Sequence, residues 1–279
     1  MKKFYKRGIN VSQAFVCFGN DFVGFEICNF LLEEGWNVYS LESQLLPHEM
    51  KWAEEKRLFV GRNGNFHAID SERTEQAFFE LDKPYLLFLP LHDLYIRNQS
   101  ITSYQWLIEH FLNHPPDKIV MIIPKKKYDY WKEDQKSIQK IADASNEQYV
   151  FFVPTLFGKY QPHLYLFAQS KYRDNDKLQN HIDDVSDAIY IKDLMSVVYQ
   201  QLEKGNSGEY IIQNAKKNYW KEIAQQFFSN EMVEKFLKDE NSIDLSIKNV
   251  LTVHPTHQLK EILEDYRTIY QTLINSEND

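Results

Sequence analysis

The chain of 279 residues has only two cysteines, Cys17 and Cys28, which excludes a disulfide-stapled fold. Two buried thiols in a reducing compartment are expected instead, with a cytoplasmic location. No apolar run reaches the ~20 residues needed to cross a bilayer. The basic start Met1-Lys2-Lys3 leads into Tyr5, Lys6, Arg7 and Asn10, not into a signal-type apolar stretch, so no membrane association is expected. Positive charge is in deficit. Lys and Arg number 32 against 40 Asp and Glu, a formal charge of −8, which argues against a general nucleic-acid binder. Internal repeats and low-complexity tracts are absent. A metal cluster is missing too: His254-Pro255-Thr256-His257 has a proline that breaks helical spacing and no completing ligand, so it reads as a loop. What is present is a hydrophobic content of 43% and an aromatic content of 15%, enough for one large or two small domains.

The first forty residues carry the strongest pattern. Ala14-Phe15-Val16-Cys17-Phe18 is a strand-type apolar run, and Gly19 to Gly24 follows as a turn. Phe25 to Glu34 reads as a helix with Val23, Ile27, Phe30 and Leu31 on one face. Gly35-Trp36-Asn37 ends it, and Val38-Tyr39-Ser40-Leu41 is a second strand that stops at Glu42. Strand, glycine turn, helix, strand, acid is the first half of a Rossmann dinucleotide unit. In such a unit the pyrophosphate rests on the N-terminus of the first helix, and glycines keep side chains out of its way. Here those glycines are incomplete.

Phe22-Val23-Gly24 resembles the end of the TGxxGFxG turn of extended short-chain dehydrogenases. In that register Cys17 takes the Thr position, Phe18 the first Gly and Asp21 the middle Gly, so that only Gly24 remains. Gly19 serves as the first Gly only if the turn is one residue shorter. An aspartate at position 21 puts a carboxylate near the expected pyrophosphate, where like charges repel. Glu42, about eighteen residues beyond Gly24, stands where these folds grip the adenosine ribose, which favours NAD over NADP. Its alternative role is to end a strand at a solvated loop. Gly19, Phe22, Val23, Gly24, Glu42 and Asp70 are thus the candidate cofactor residues.

Further along, residues 48–66 read as irregular, with turn chemistry at Gly61-Arg62-Asn63-Gly64-Asn65. Phe66 to Asp70 reads as a short third strand, with Asp70 where the resemblance places an acid near the adenine. Thr74 to Leu81 reads as a helix. Pro84 to Pro90 and Lys118 to Ile123 are continuous apolar runs, typical of strands buried on both faces of a parallel sheet. Between them Ser103 to Leu112 is helical and Asn113-His114-Pro115-Pro116 stops it. Trp131 to Ala144 is an amphipathic helix, and Tyr149 to Val153 a strand. The alternation predicts an α/β fold, a Rossmann-like doubly wound parallel sheet with a smaller C-terminal α/β lobe. The expected division is 1–155 for the dinucleotide-type domain and 156–279 for the substrate-type lobe, with 186–204 returning to the large sheet.

Val153-Pro154-Thr155-Leu156-Phe157-Gly158 resembles the R-x-P-x-x-Y/F-G segment of nucleotide-sugar epimerases and dehydratases. Ile189-Tyr190-Ile191-Lys192-Asp193-Leu194 resembles their V-x-V-x-D-V/L segment, with the helix Met195 to Glu203 behind it. Gly208-Glu209-Tyr210-Ile211-Ile212 resembles the strand that follows, and Lys221 to Phe228 the next helix. Leu259, Ile262, Leu263, Tyr266, Ile269, Tyr270 and Leu273 form a closing amphipathic helix. The chain resembles, over nearly its whole length, an extended or atypical short-chain dehydrogenase/reductase of the NAD-dependent epimerase/dehydratase kind.

The resemblance implies NAD in the N-terminal sheet, a nucleotide sugar or similar ligand in the C-terminal lobe, and Tyr-x-x-x-Lys chemistry. Tyr128 and Lys132 have that spacing, which puts both on one helix face. The ammonium would favour the phenolate for proton exchange with a substrate hydroxyl. With 17 tyrosines, chance also produces such a pair. The family's Ser is replaced by Ile123-Pro124-Lys125, and its small-residue turn after strand four by Pro90-Leu91-His92-Asp93. His92 beside Asp93 offers a general base, but on a strand the two would point to opposite faces, and the plainer reading of His92 is a surface or satisfied core histidine. Two readings follow. In one the chain is a binding or regulatory protein with eroded catalysis, its partner a small-molecule ligand or another protein. In the other it is an active epimerase, dehydratase or reductase on a nucleotide-linked sugar. Lys125-Lys126-Lys127 contacts an anionic ligand or is a solvated helix start. A homodimer would use Trp106, Leu107, Phe111, Trp131 and Ile138.

Overall fold

The computed structural model describes residues 13–43, 47–69, 84–170, 181–238, 245–264 and 266. The first unit is β1 (Gln13–Cys17), α1 (Phe22–Glu33) and β2 (Asn37–Leu41), followed by α2 (Pro47–Val60) and β3 (Phe66–Ile69). Then come β4 (Leu86–Leu89), the short α3 (Leu91–Tyr95), α4 (Gln105–Asn113), β5 (Lys118–Pro124), α5 (Tyr128–Asp143) and β6 (Glu147–Val153). The second half adds β7 (Thr155–Phe157), α6 (Leu166–Gln169), β8 (Ala188–Tyr190), α7 (Ile191–Lys204), β9 (Gly208–Asn214), α8 (Tyr219–Ala224), α9 (Asn230–Lys238) and β10 (Val250–Val253).

Eight strands form one parallel sheet in the order β10-β9-β6-β5-β4-β1-β2-β3, and β7 pairs in parallel with β8. This is a Rossmann-like doubly wound sheet. Parallel pairing follows from the helical crossovers, which cover both faces and leave β4 and β5 buried throughout. Side chains of β1 alternate between two cores: Ala14 and Val16 join one, Phe15 and Cys17 the other. Both cysteines are free and buried, and burial pushes the Cys28 thiol up to about 12. No helix among the described residues is long and apolar enough to cross a membrane.

After β3 the chain crosses to the far side of β1 to make β4. The switch point of the sheet therefore lies at the carboxyl ends of β1 and β4, where open α/β sheets hold their ligands.

Several boundaries differ from expectation. Residues 48–66 are largely helical, because α2 begins with Pro47 at a position that tolerates proline and is rich in Glu, Lys and Arg. Among its described side chains, residues 52–60, only Lys56 and Val60 are buried, so the apolar period was too thin to read. Helix α1 starts at Phe22 and α5 at Tyr128, each three residues before the expected start. Strand β8 pairs with β7 and not with the large sheet, while α7 packs on α1 and β10. The large sheet meanwhile takes β9 and β10 from beyond residue 155. Thr74 to Leu81, Asp70 and the end of the closing helix lie outside the described residues; residues 259–264 are helical.

Candidate functional site

The turn from β1 to α1 is shaped by close approaches. Phe18, in the place of the family's first glycine, has φ +57°, the left-handed region that favours glycine. Its ring is buried and meets Tyr104 edge-on at 5.1 Å. A Cβ on Gly24 would lie 2.0 Å from the Phe18 carbonyl oxygen, and one on Gly19 2.0 Å from Ser40 Oγ. Gly24 is thus demanded by the backbone of the turn itself, while at Gly19 the crowding comes from the Ser40 side chain on β2.

The first N–H groups of α1 have no helical partner and must find another acceptor. Asp21, at the N-cap, does not cap with its own side chain. The acceptor is Asp93. The Val23 N–H donates to Asp93 Oδ2 at 2.9 Å and to Oδ1 at 3.1 Å, and the Gly24 N–H donates to Oδ2 at 2.9 Å. Asp93 is 1% exposed. It sits on α3, immediately after β4, so both sides of the switch point meet in this one contact.

Neighbouring groups hold that contact. His92 is fully buried, with Nδ1 3.3 Å from Asp93 Oδ1 and Nε2 2.7 Å from the Tyr165 hydroxyl. The two residues share a helical turn and not a strand, which corrects the expected geometry; His92 is a satisfied core histidine. Arg97 donates from Nη2 to Asp21 Oδ1 at 2.6 Å, and Ser43 Oγ donates to the same oxygen at 2.9 Å. Lys56, buried on α2, donates to the carbonyls of Asn20 at 2.9 Å and Asp21 at 3.1 Å. Two cations and two carboxylates are therefore gathered under the turn. Burial raises Asp21 to about 7; Arg97 and Lys56 pull it down and Asp93 pushes it further up.

Phe22 and Val23 belong to the first turn of α1, whose Val23 and Gly24 N–H groups the site uses. Glu42 accepts from Arg57 at 2.6 Å, so the carboxylate in the ribose position has a partner in the chain. Asp70 lies outside the described residues. Tyr128 begins α5 and packs edge-on against Phe152 at 5.5 Å. Lys132 stands over the Tyr128 ring, Nζ 4.6 Å from its centroid, with its side chain 57% exposed and Asp129 at 3.5 Å. Of the lysine run, Lys125 pairs with Asp184 at 3.0 Å and Lys127 donates to Asn98 Oδ1 at 2.7 Å.

In the second half, Asp183 accepts from the Leu166 N–H at 2.8 Å and from Trp220 Nε1 at 3.1 Å, and burial raises it to about 6. His257, in a loop, meets Asp193 of α7 at 2.8 Å, and no metal-holding group of three or more ligands occurs among the described residues. Leu107, Phe111, Trp131 and Ile138 pack in the core beside the sheet, while Trp106 is 40% exposed. Sequence reasoning missed Asp93, Arg97, Lys56 and Tyr165. The one signal for Asp93 was the bulky, charged Pro90-Leu91-His92-Asp93 where the family has small residues.

No protein-family model matches the sequence, and no curated protein matches it. Solved structures match almost from end to end. UDP-glucuronic acid 4-epimerase from Bacillus cereus, in complex with UDP-glucuronic acid and NAD, is 15% identical with a TM-score of 0.62, covering 93% of this chain and 99% of that one. dTDP-glucose 4,6-dehydratase from Bacillus anthracis, in complex with NAD, is 14% identical with a TM-score of 0.55, covering 92% and 91%. Vestitone reductase from alfalfa is 12% identical with a TM-score of 0.55, covering 91% and 96%. The class this defines is a Rossmann-like α/β protein with the fold of the NAD-dependent epimerases and dehydratases. At these identities the likeness is one of fold. The residues at the switch point do not fit a dinucleotide, because a buried carboxylate occupies the N–H groups that a pyrophosphate would use.

Proposed function

We propose that the chain keeps the epimerase/dehydratase scaffold without its redox reaction and works as a cytoplasmic binding or regulatory protein, for a small-molecule ligand or a protein partner. The observation that carries this reading is the filled switch point. Phe18, Phe22, Leu91, His92 and Asp93 are all buried at the carboxyl ends of β1 and β4. A dinucleotide would have to displace packed side chains and a satisfied carboxylate, and it would bring its own negative charge beside Asp21. The absent Ser before α5 and the solvent-facing Lys132 fit the same reading.

The test is calorimetric titration with NAD, NADH, NADP and NADPH, with melting curves beside it. Ligand at a hundredfold its Kd stabilises by about 2.7 kcal/mol. The expected outcome is neither heat nor a melting shift at millimolar cofactor; binding of any of the four would overturn the reading. An active enzyme is the second reading, favoured by Tyr128 and Lys132 sharing one helix face with the ammonium over the ring. It requires cofactor binding first, and then an activity that Tyr128→Phe abolishes.

A further inference from the structure

The carboxylate on α1 does more than cap a helix. It brings one negative charge and two oxygens to N–H groups that, in this kind of fold, receive a phosphate. It is delivered from another element, and that element is held from both sides of Asp93. On one side His92 meets the Tyr165 hydroxyl, and on the other Arg97 binds Asp21. The charge count around it is also informative. Arg97, Lys56 and the positive end of α1 face Asp21 and Asp93. Removing the Asp93 side chain takes one negative charge from beside Arg97, Lys56 and the helix end, and the volume it leaves is that of an anion of a few atoms.

We propose that Asp93 is a self-inhibitory plug: its carboxylate stands in for a ligand's oxyanion on α1, and the chain deprived of it takes up a small oxyanion, phosphate or formate, at the Val23 and Gly24 N–H groups. The proposal rests on the reading that the wild-type dinucleotide site is closed. It goes beyond that reading by assigning the closure to one exchangeable group. The exchange is noncovalent: an external anion accepts the N–H bonds that Asp93 accepts in the wild type. Phe18, Leu91 and His92 remain in place, so the occupant is an anion of a few atoms and not a whole dinucleotide.

The experiment compares wild type, Asp93→Gly and Asp134→Ala by melting in sodium phosphate, sodium formate and sodium chloride at equal ionic strength. Asp134 is also buried and accepts from the Ile101 N–H at 3.0 Å, so its variant loses a buried carboxylate elsewhere. Asp93→Gly is expected to gain more in phosphate and formate over chloride than the other two proteins, whose common response is the general salt effect, and the excess should grow with concentration. In Asp93→Gly, phosphate is also expected to move the amide resonances of Val23 and Gly24, while in Asp93→Asn, whose side chain keeps the size and one acceptor oxygen, it is expected to leave them in place. An equal salt response in all three proteins overturns the proposal. Failure of Asp93→Gly to fold even in phosphate or formate also counts against it, since the anion should replace the carboxylate. NAD binding to the wild type would sink the closed-site reading. A wild type that ignores NAD, with an Asp93→Gly protein that ignores phosphate, would sink the plug alone.

Discussion

Phe18 shows how one residue can break a local rule and still be favoured by the fold. A non-glycine residue in the left-handed region costs roughly 1–2 kcal/mol. Against this, the ring is fully buried and packed on Tyr104, and removing a buried Phe side chain costs about 3–5 kcal/mol once the cavity is counted. Burial wins by magnitude. Phe18→Gly, although it restores the residue that the turn geometry favours, is therefore expected to lower stability by about 1–4 kcal/mol in urea denaturation. A neutral or stabilising result would mean that backbone strain, not packing, dominates the turn. Gly24 is the opposite case: the Phe18 carbonyl 2.0 Å from a would-be Cβ is backbone and cannot rotate aside. The acid at position 21 also behaves differently from the sequence expectation. Its carboxylate turns to Arg97 and Ser43, and Asp93 takes the place over the helix.

At the scale of elements, α3 is a short helix packed into the core by Leu91, Leu94 and Tyr95, with polar ties through His92 and Asp93 and through Arg97 just beyond its end. Tyr165→Phe removes the hydroxyl that meets His92 Nε2 and takes that hydrogen bond from a buried imidazole nitrogen. A loss of about 1–3 kcal/mol is expected, with far-ultraviolet circular dichroism unchanged; no loss would show that α3 is held by Asp93 and Arg97 without its histidine. The elements differ in how far they could be read from the chain. The apolar runs of β1, β4 and β5 were legible because strands buried on both faces need no alternation to be recognised. The helix of α2 was not, since its middle is a run of charge, Glu54-Glu55-Lys56-Arg57, and its anchoring side chain, Lys56, is a cation that binds backbone carbonyls. Nor could the true start of α1 be read locally. Its capping group comes from Asp93, 70 residues away from Val23, and nothing at position 22 announces it. The candidate site was legible as a place, through Gly24, Phe18 and the altered turn after β4. Its content depended on which distant carboxylate would reach the helix, and that is a property of the folded sheet.

For the whole molecule, the buried acids set how stability responds to pH. Burial raises Asp21 to about 7, against Arg97 and Lys56; it raises Glu26 to about 7, against Lys192, Asn29 and His257; and it raises Asp183 to about 6. Unfolded carboxylates titrate near about 4. Between these values the native chain holds more protons than the unfolded one, so ∂ΔG/∂pH of unfolding is negative. The contribution of each group is fully present below about pH 4 and is lost as pH rises through its folded value of about 6 or 7. Glu147 works the other way: burial would raise it, but Lys118 and Tyr149 bring it below its usual value, so its stabilisation is lost as pH falls through that lowered range. It does so at a lower pH than the window of the other three. The formal charge of −8 adds self-repulsion as the acids ionise. The urea midpoint is therefore expected to fall from about pH 5 to about pH 8. Glu26→Gln, which keeps the side chain's shape and removes its charge, should flatten that slope, while Glu234→Gln, at an exposed acid paired with Lys221, should leave it as it is. A wild-type midpoint that is flat or rises over this range would mean that Arg97 and Lys192 keep Asp21 and Glu26 ionised in the folded chain.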